Sequence, residues 1–157
     1  MPRYWLMKTE PETFSWEDLA KSPRKTTSWD GVRNYQARNL LRDEIKKGDG
    51  VLFYHSRIQP PLVVGTALVA REGYPDPGQF EPASKYHDPA ARPEAPRWYM
   101  VDVKMDRAFP RPVPLPLLRA TRGLEEMVLL RKGSRLSVQP VRPREWRIIL
   151  RLGGLAG

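Results

Sequence analysis

Apolar positions along the chain fall into short runs whose period switches between two and about 3.6, the pattern of a domain that mixes strands with short helices. Residues 3–9 place Tyr4 and Leu6 on one side and Trp5 and Met7 on the other, which predicts a strand buried on both faces. Ser15 with Asp18 three positions later has the form of a capping box, and predicts a short helix with Trp16 and Leu19 inward and Pro23 as its end. Residues 22–33 read as loop. Asn34 is a good N-cap for the segment YQARNLLRDEIKKG, in which Ala37, Leu40, Leu41 and Ile45 form the buried stripe and Gly48 stands where a stop is expected.

VLFYHS at 51–56 and LVVGTALVA at 62–70 have the length and apolar content of core strands, separated by an open loop. From Gly73 to Pro96 proline, aspartate and tyrosine predominate and no regular structure is predicted; a connection of that length is more often functional or mobile than decorative. Residues 97–107 return to a strand whose odd positions, Tyr99 to Met105, face the core, so Trp98 needs a partner elsewhere. After Pro110, Pro112, Pro114 and Pro116 a short helix is expected around 123–131, then a strand in RLSVQPV. A last helix follows in PREWRIILRLGG, with Trp146, Ile149 and Leu150 inward and Arg144, Arg147 and Arg151 outward. The fold class is α+β, in a single domain over residues 1–157.

Composition sets the bounds. A chain of 157 residues can bury a full core without staples, and leaves no room for a second large domain. The absence of cysteine excludes disulfides, a thiol nucleophile and thiolate-held metal, and two histidines, His55 and His87, leave little for any other metal site. No apolar run approaches the ~20 residues that span a bilayer, and MPRYWLMKTEP has no secretory apolar region. The expectation is a cytoplasmic monomer with no membrane partner and no cofactor. The net charge of +9 is unevenly spread, about +1 over residues 1–96 and +8 over 97–157. A basic half attracts phosphate without naming a ligand.

The common catalytic signatures are missing: no G-x-S-x-G, Walker A, dinucleotide glycine pattern or H-E-x-x-H occurs. Asp30, Asp76, Asp88 or Glu125–Glu126 could be nominated as an acid–base pair, but carboxylates at this frequency ordinarily solvate a surface. His55, inside an apolar strand, suits a hydrogen-bonded structural role better than that of a general base. A binding module is favoured. Trp29, Tyr35, Phe53, Tyr54, Tyr74, Phe80, Tyr86 and Trp98 lie in or beside loops and strand ends that also carry Asp30, Asn34, Ser56, Asp76, Gln79 and Ser84. That mixture suits a planar heterocycle, stacked by rings and read at its edge by amides and hydroxyls, though the same residues could serve a core with their polar tips satisfied.

At WDGVRNYQARN, residues 29–39, the chain resembles the EVE domain family. YWLMKTEP at 4–11, FYHS at 53–56, VVGTALV at 63–69, YPDPGQFEPASKYHDP at 74–89, WYMVDV at 98–103 and RLSVQPV at 135–141 carry the same resemblance in order over nearly the whole chain. It implies a PUA-like fold, a strongly curved β-barrel with helices around it, and recognition of a modified base in DNA or RNA, with modified cytosine in DNA favoured. The family's motif implies a pocket built from Trp29, Asp30, Val32 and Asn34, the strand end at His55 and Ser56, and the loop with Tyr74, Ser84 and Tyr86, with Ser137 and Gln139 closing one side. Arg144, Arg147 and Arg151 are expected to hold phosphates. A sensor of free modified nucleosides and an enzyme or accessory factor in RNA or nucleotide modification remain as alternatives.

Overall fold

The computed structural model describes residues 2–156. Six strands form one mixed sheet: β1 (Tyr4–Thr9), β2 (Thr26–Ser28), β3 (Gly50–His55), β4 (Leu62–Pro75), β5 (Tyr99–Pro114) and β6 (Val138–Val141), in the order β2-β5-β4-β3-β1-β6. β1 and β3 run parallel, and every other pairing is antiparallel. Four register shifts between β4 and β5 and one between β3 and β4 bend the long strands, because each extra residue adds local twist. The sheet is therefore curved but open: among the described residues no pairing joins β2 to β6.

Alternation along the strands places apolar residues on both faces, and each face has its own core. One core gathers Trp5, Met7, Val51, Phe53, Ala67, Val69, Val101 and Val103. Against it pack Leu19 of α1 (Trp16–Lys21) and Ala37 of α2 (Tyr35–Asn39). The other core gathers Leu6, Leu52, Tyr54 and Val113 with Leu118 of α3 (Leu115–Ala120) and Trp146, Ile149 and Leu150 of α4 (Pro143–Leu152). Trp146 also stacks on Tyr4, with ring centroids 4.4 Å apart.

The expected caps are present. Ser15 Oγ accepts from the Asp18 N–H at 3.0 Å and the Asp18 carboxylate accepts from the Ser15 N–H at 2.8 Å. Asn34 Oδ1 accepts from the Ala37 N–H at 2.9 Å. The helix after Asn34 is shorter than its apolar pattern predicts. Beyond Asn39 it widens into a turn over Leu40–Glu44, where the Ile45 N–H reaches back five residues to the Leu40 carbonyl, and Ile45 itself is extended. Gly73 lies against this turn: a Cβ there would stand 2.4 Å from the Leu41 carbonyl oxygen, so only glycine permits the approach. Gly73 consequently sits within β4 instead of ending it.

Three expectations require correction. Residues 22–33 contain β2, whose Thr26–Ser28 pairs with Asp102–Lys104 of β5. The proline-rich stretch contains α3, since prolines fit a helix's first turn. The helix expected at 123–131 is only a single turn at Val128–Leu130. Trp98 finds its partner in Tyr35, stacked at 4.7 Å, while its indole N–H donates to Asp88 at 2.7 Å.

Candidate functional site

A cleft of about 600 Å³ opens at one end of the sheet, on the side of the Trp5 core. It lies where the end of β1, the end of β2 with the loop after it, the start of the RLSVQPV segment and the loop around Tyr86 meet. Phe14, Trp29, Val32 and Tyr86 provide its apolar surface. Hydroxyls come from Thr9, Thr13, Thr27, Ser28 and Ser137, and charges from Lys8, Arg33 and Lys85 against Glu10 and Asp30, a small positive excess. Trp29 is mostly buried, its ring perpendicular to that of Phe53 at 5.5 Å, so the core holds it and a small part of it meets the cleft.

The loop from Trp29 to Asn34 is held by Asp76, whose side chain is only 1% exposed. One of its carboxylate oxygens accepts from the Gly31 N–H at 2.8 Å and from Arg33 Nη1 at 3.0 Å; the other accepts from the Gly78 N–H at 2.8 Å. Arg33 in turn donates through Nε and Nη2 to the Tyr86 carbonyl at 3.1 and 2.9 Å, and its guanidinium lies 5.3 Å from the Tyr86 ring centroid and 5.4 Å from that of Trp98. Gly31 has φ +76°, and a Cβ there would stand 2.6 Å from the Tyr86 ring. Two loops distant in sequence are thereby clamped, with Tyr86 pressed on Gly31. The Tyr86 N–H donates to Ser84 Oγ at 3.0 Å, so Ser84 positions the ring without lining the cleft.

Electrostatics follow from partial burial. The Asp30 carboxyl is raised above its ordinary range, first by lost hydration and then by Asp76 nearby, with Arg33 and Lys85 opposing. The Lys8 ammonium is shifted down by lost hydration. Both shifts have the same cause, water already lost where these groups form part of the cleft wall.

The residues expected in the pocket separate into two sets. Trp29, Asp30, Val32, Tyr86 and Ser137 line the cleft. Asn34 caps α2, and Ser56 donates its N–H to the Thr9 carbonyl at 3.0 Å. His55 is 5% exposed; its Nε2 accepts from the Trp16 N–H at 3.3 Å and its ring meets Phe53 edge-on. Burial pushes the His55 imidazole below its usual value, which favours the neutral ring that this acceptor role needs. Tyr74 is hydrogen-bonded to Asp102 beneath the Arg71 guanidinium, and its phenol is pushed up to about 12 by burial and then by Asp102. Gln139 is fully buried, donating to the Leu136 carbonyl at 2.8 Å, with its own Oε1 unpartnered among the described residues. None of these five side chains lines the cleft.

Arg144, Arg147 and Arg151 project from α4 as expected, but α4 packs on the opposite face of the sheet. The cations at the cleft are Lys8, Arg33 and Lys85, which the sequence pattern did not single out. Lys8 and Lys85 each stand within recognised motifs, YWLMKTEP and ASKYHDP, so position in the motif was their only signal. Among the described residues no three His, Asp or Glu side chains converge as a metal ion would need, and no helix is long and apolar enough to cross a membrane.

The EVE domain model matches residues 3–152. Human thymocyte nuclear protein 1 is 43% identical over 166 residues, covering 95% of this chain and 73% of the relative. A solved structure from Pseudomonas putida is 47% identical, with a TM-score of 0.90 over 96% of this chain and 99% of that one. Human THYN1, solved in complex with 5-methylcytosine-containing DNA, is 40% identical and superposes with a TM-score of 0.91 over 99% of both chains. The curved mixed sheet flanked by short helices is the PUA-like architecture that the sequence motifs implied, and the chain belongs to the EVE domain family.

Proposed function

We propose that the protein is a non-catalytic reader of modified cytosine in DNA, and that the base leaves the stack to enter the Trp29 cleft. One observation carries this reading: a cleft with an aromatic wall, a carboxylate and a small positive excess lies on a framework that superposes on THYN1, solved with 5-methylcytosine DNA, at a TM-score of 0.91. Trp29 and Tyr86 supply the apolar surface for the base. Stacking is worth about 1–3 kcal/mol per base, enough to offset an extrusion that costs a few kcal/mol. Lys8 and Lys85 meet the phosphates that flank the extruded nucleotide, while Arg33 stays committed to Asp76 and the Tyr86 carbonyl.

Asp30 supplies the edge contact. Thymine and 5-methylcytosine carry the same methyl group, so a pocket that senses only the methyl cannot separate them. A carboxylate accepts from the cytosine amine and meets an acceptor oxygen in thymine, a difference of about 1–3 kcal/mol, or roughly 5- to 150-fold. The methyl itself adds about 0.8 kcal/mol of burial, a preference of about fourfold over unmodified cytosine. Because the Asp30 carboxyl is raised, discrimination against thymine weakens on acidification sooner than an ordinary carboxylate would allow.

Titration of matched single-stranded oligonucleotides bearing 5-methylcytosine, cytosine or thymine at one position, at two salt concentrations, tests the reading. The expected order is 5-methylcytosine, cytosine, thymine. Trp29→Ala abolishes the order and keeps salt-dependent background binding; Asp30→Asn selectively narrows the gap to thymine. Equal affinity of the native protein for all three contradicts the proposal, and free nucleoside binding as tight as the oligonucleotide points to a nucleoside sensor instead.

A further inference from the structure

The arginine row on α4 is in the wrong place to serve the cleft. Trp146 of α4 stacks on Tyr4, at the start of β1, whereas the cleft begins at Lys8 and Thr9, at its end. At ~3.3 Å per residue, Tyr4 and Thr9 are separated by about 16 Å along the strand. The two features also lie on opposite faces of the sheet, since Trp146, Ile149 and Leu150 join the core of Leu6 and Leu52 while Trp29 and Val32 join that of Trp5 and Phe53.

Arg144, Arg147 and Arg151 are all exposed, and among the described residues none makes an ion pair. Their spacing of three and four residues aligns them along one helix side over about 10 Å, at ~1.5 Å per residue. The exposed Arg111 extends the row: its N–H donates to the Gly153 carbonyl just past the helix, and its guanidinium carbon lies 3.4 Å from where a Gly154 Cβ would be. The hollow at the other end of the helix, about 380 Å³, is electrically balanced, with Arg122, Arg142 and Arg144 facing Glu125, Glu126 and Glu145. Arg144 borders that balanced hollow, so the charge with no carboxylate beside it among the described residues is that of Arg147 and Arg151 on the outer side of the helix, continued by Arg111, in the C-terminal stretch that carries most of the net +9. A linear row of unpaired guanidinium groups fits the regularly spaced phosphates of a nucleic-acid backbone.

We infer that the α4 row, with Arg111, is a second phosphate-backbone surface, independent of the cleft, which lets one molecule hold two nucleic-acid segments at once. The phosphate-binding half of this inference stands without the cleft; the bridging half rests on the cleft holding DNA.

Two measurements on the full chain test it. First, affinity for an unmodified duplex is measured against salt for the native protein, for Arg144→Gln/Arg147→Gln/Arg151→Gln, and for the charge-matched control Lys21→Gln/Lys46→Gln/Lys47→Gln. At about 0.9 in log–log slope per phosphate contact, the arginine variant is expected to flatten the slope by about 2–3 and the control by less than 1. The ratio of affinities for 5-methylcytosine and cytosine strands stays unchanged. Second, a 5-methylcytosine strand fixed to a surface is loaded with protein and exposed to a labelled unmodified duplex. The native protein captures the duplex and the arginine variant does not. An unchanged slope in the arginine variant, or equal flattening in the control, overturns the second surface. Loss of the modification ratio together with the slope shows one continuous surface and overturns its independence. Loading without capture by the native protein overturns bridging alone. No preference for 5-methylcytosine in the native protein contradicts the cleft reading while leaving the slope comparison to decide the α4 surface.

Discussion

Gly31 and Asp76 set the shape of the cleft without offering a ligand any chemistry of their own. At Gly31 both the left-handed backbone and the pressed Tyr86 ring exclude a side chain. Gly31→Ala is expected to cost about 1–3 kcal/mol in urea denaturation through strain and overpacking, and to weaken base preference by displacing Tyr86. Asp76→Ala leaves the Gly31 N–H and the Arg33 guanidinium without their buried acceptor. The expected loss is about 3 kcal/mol, read by the same denaturation experiment. His55 gives a pH signature. Its folded-state value lies below the ordinary 6.5, so its contribution is fully present above pH 6.5 and is lost as pH falls through the folded value. A melting temperature that declines below pH 6.5, with a shallower decline in His55→Gln, is the expected result.

At the scale of elements, the stronger the period, the more legible the structure. β1 and β3 show as short continuous apolar runs buried on both faces and α4 as a helical apolar stripe, and Ser15 and Asn34 fix where helices begin. β2 was hidden because three polar residues, Thr26 to Ser28, carry no apolar period and become a strand only by pairing with β5. α3 was hidden by its own prolines. The widened turn at Leu40–Glu44 keeps Leu41 and Ile45 buried while ending the helix, so burial alone misjudged the backbone there. In the cleft, the WDGVRNY motif was legible and Lys8, Thr13 and Phe14 were not, because nothing local says that the end of β1 meets the Trp29 loop. Asn34 separates motif membership from contact: Asn34→Ala is expected to cost about 1 kcal/mol through the lost cap and to leave the affinity ratio of modified to unmodified strands unaltered in titration.

At the scale of the molecule, two basic features lie on opposite faces of one open sheet. The Trp5 side carries the cleft, to which we assign the reading of the base. The Leu6 side carries an arginine row suited to any phosphate backbone. If both assignments hold, selectivity and salt-dependent affinity respond to different substitutions, which a single mixed surface would not allow. The central claim is that the modified base occupies the Trp29 cleft. The most direct measurement is a crystal structure of the protein with a short DNA carrying one 5-methylcytosine. The account predicts that base outside the stack, lying against Trp29 and Tyr86 with its amine toward Asp30. A 5-methylcytosine still stacked in the DNA, with the cleft empty, would contradict it.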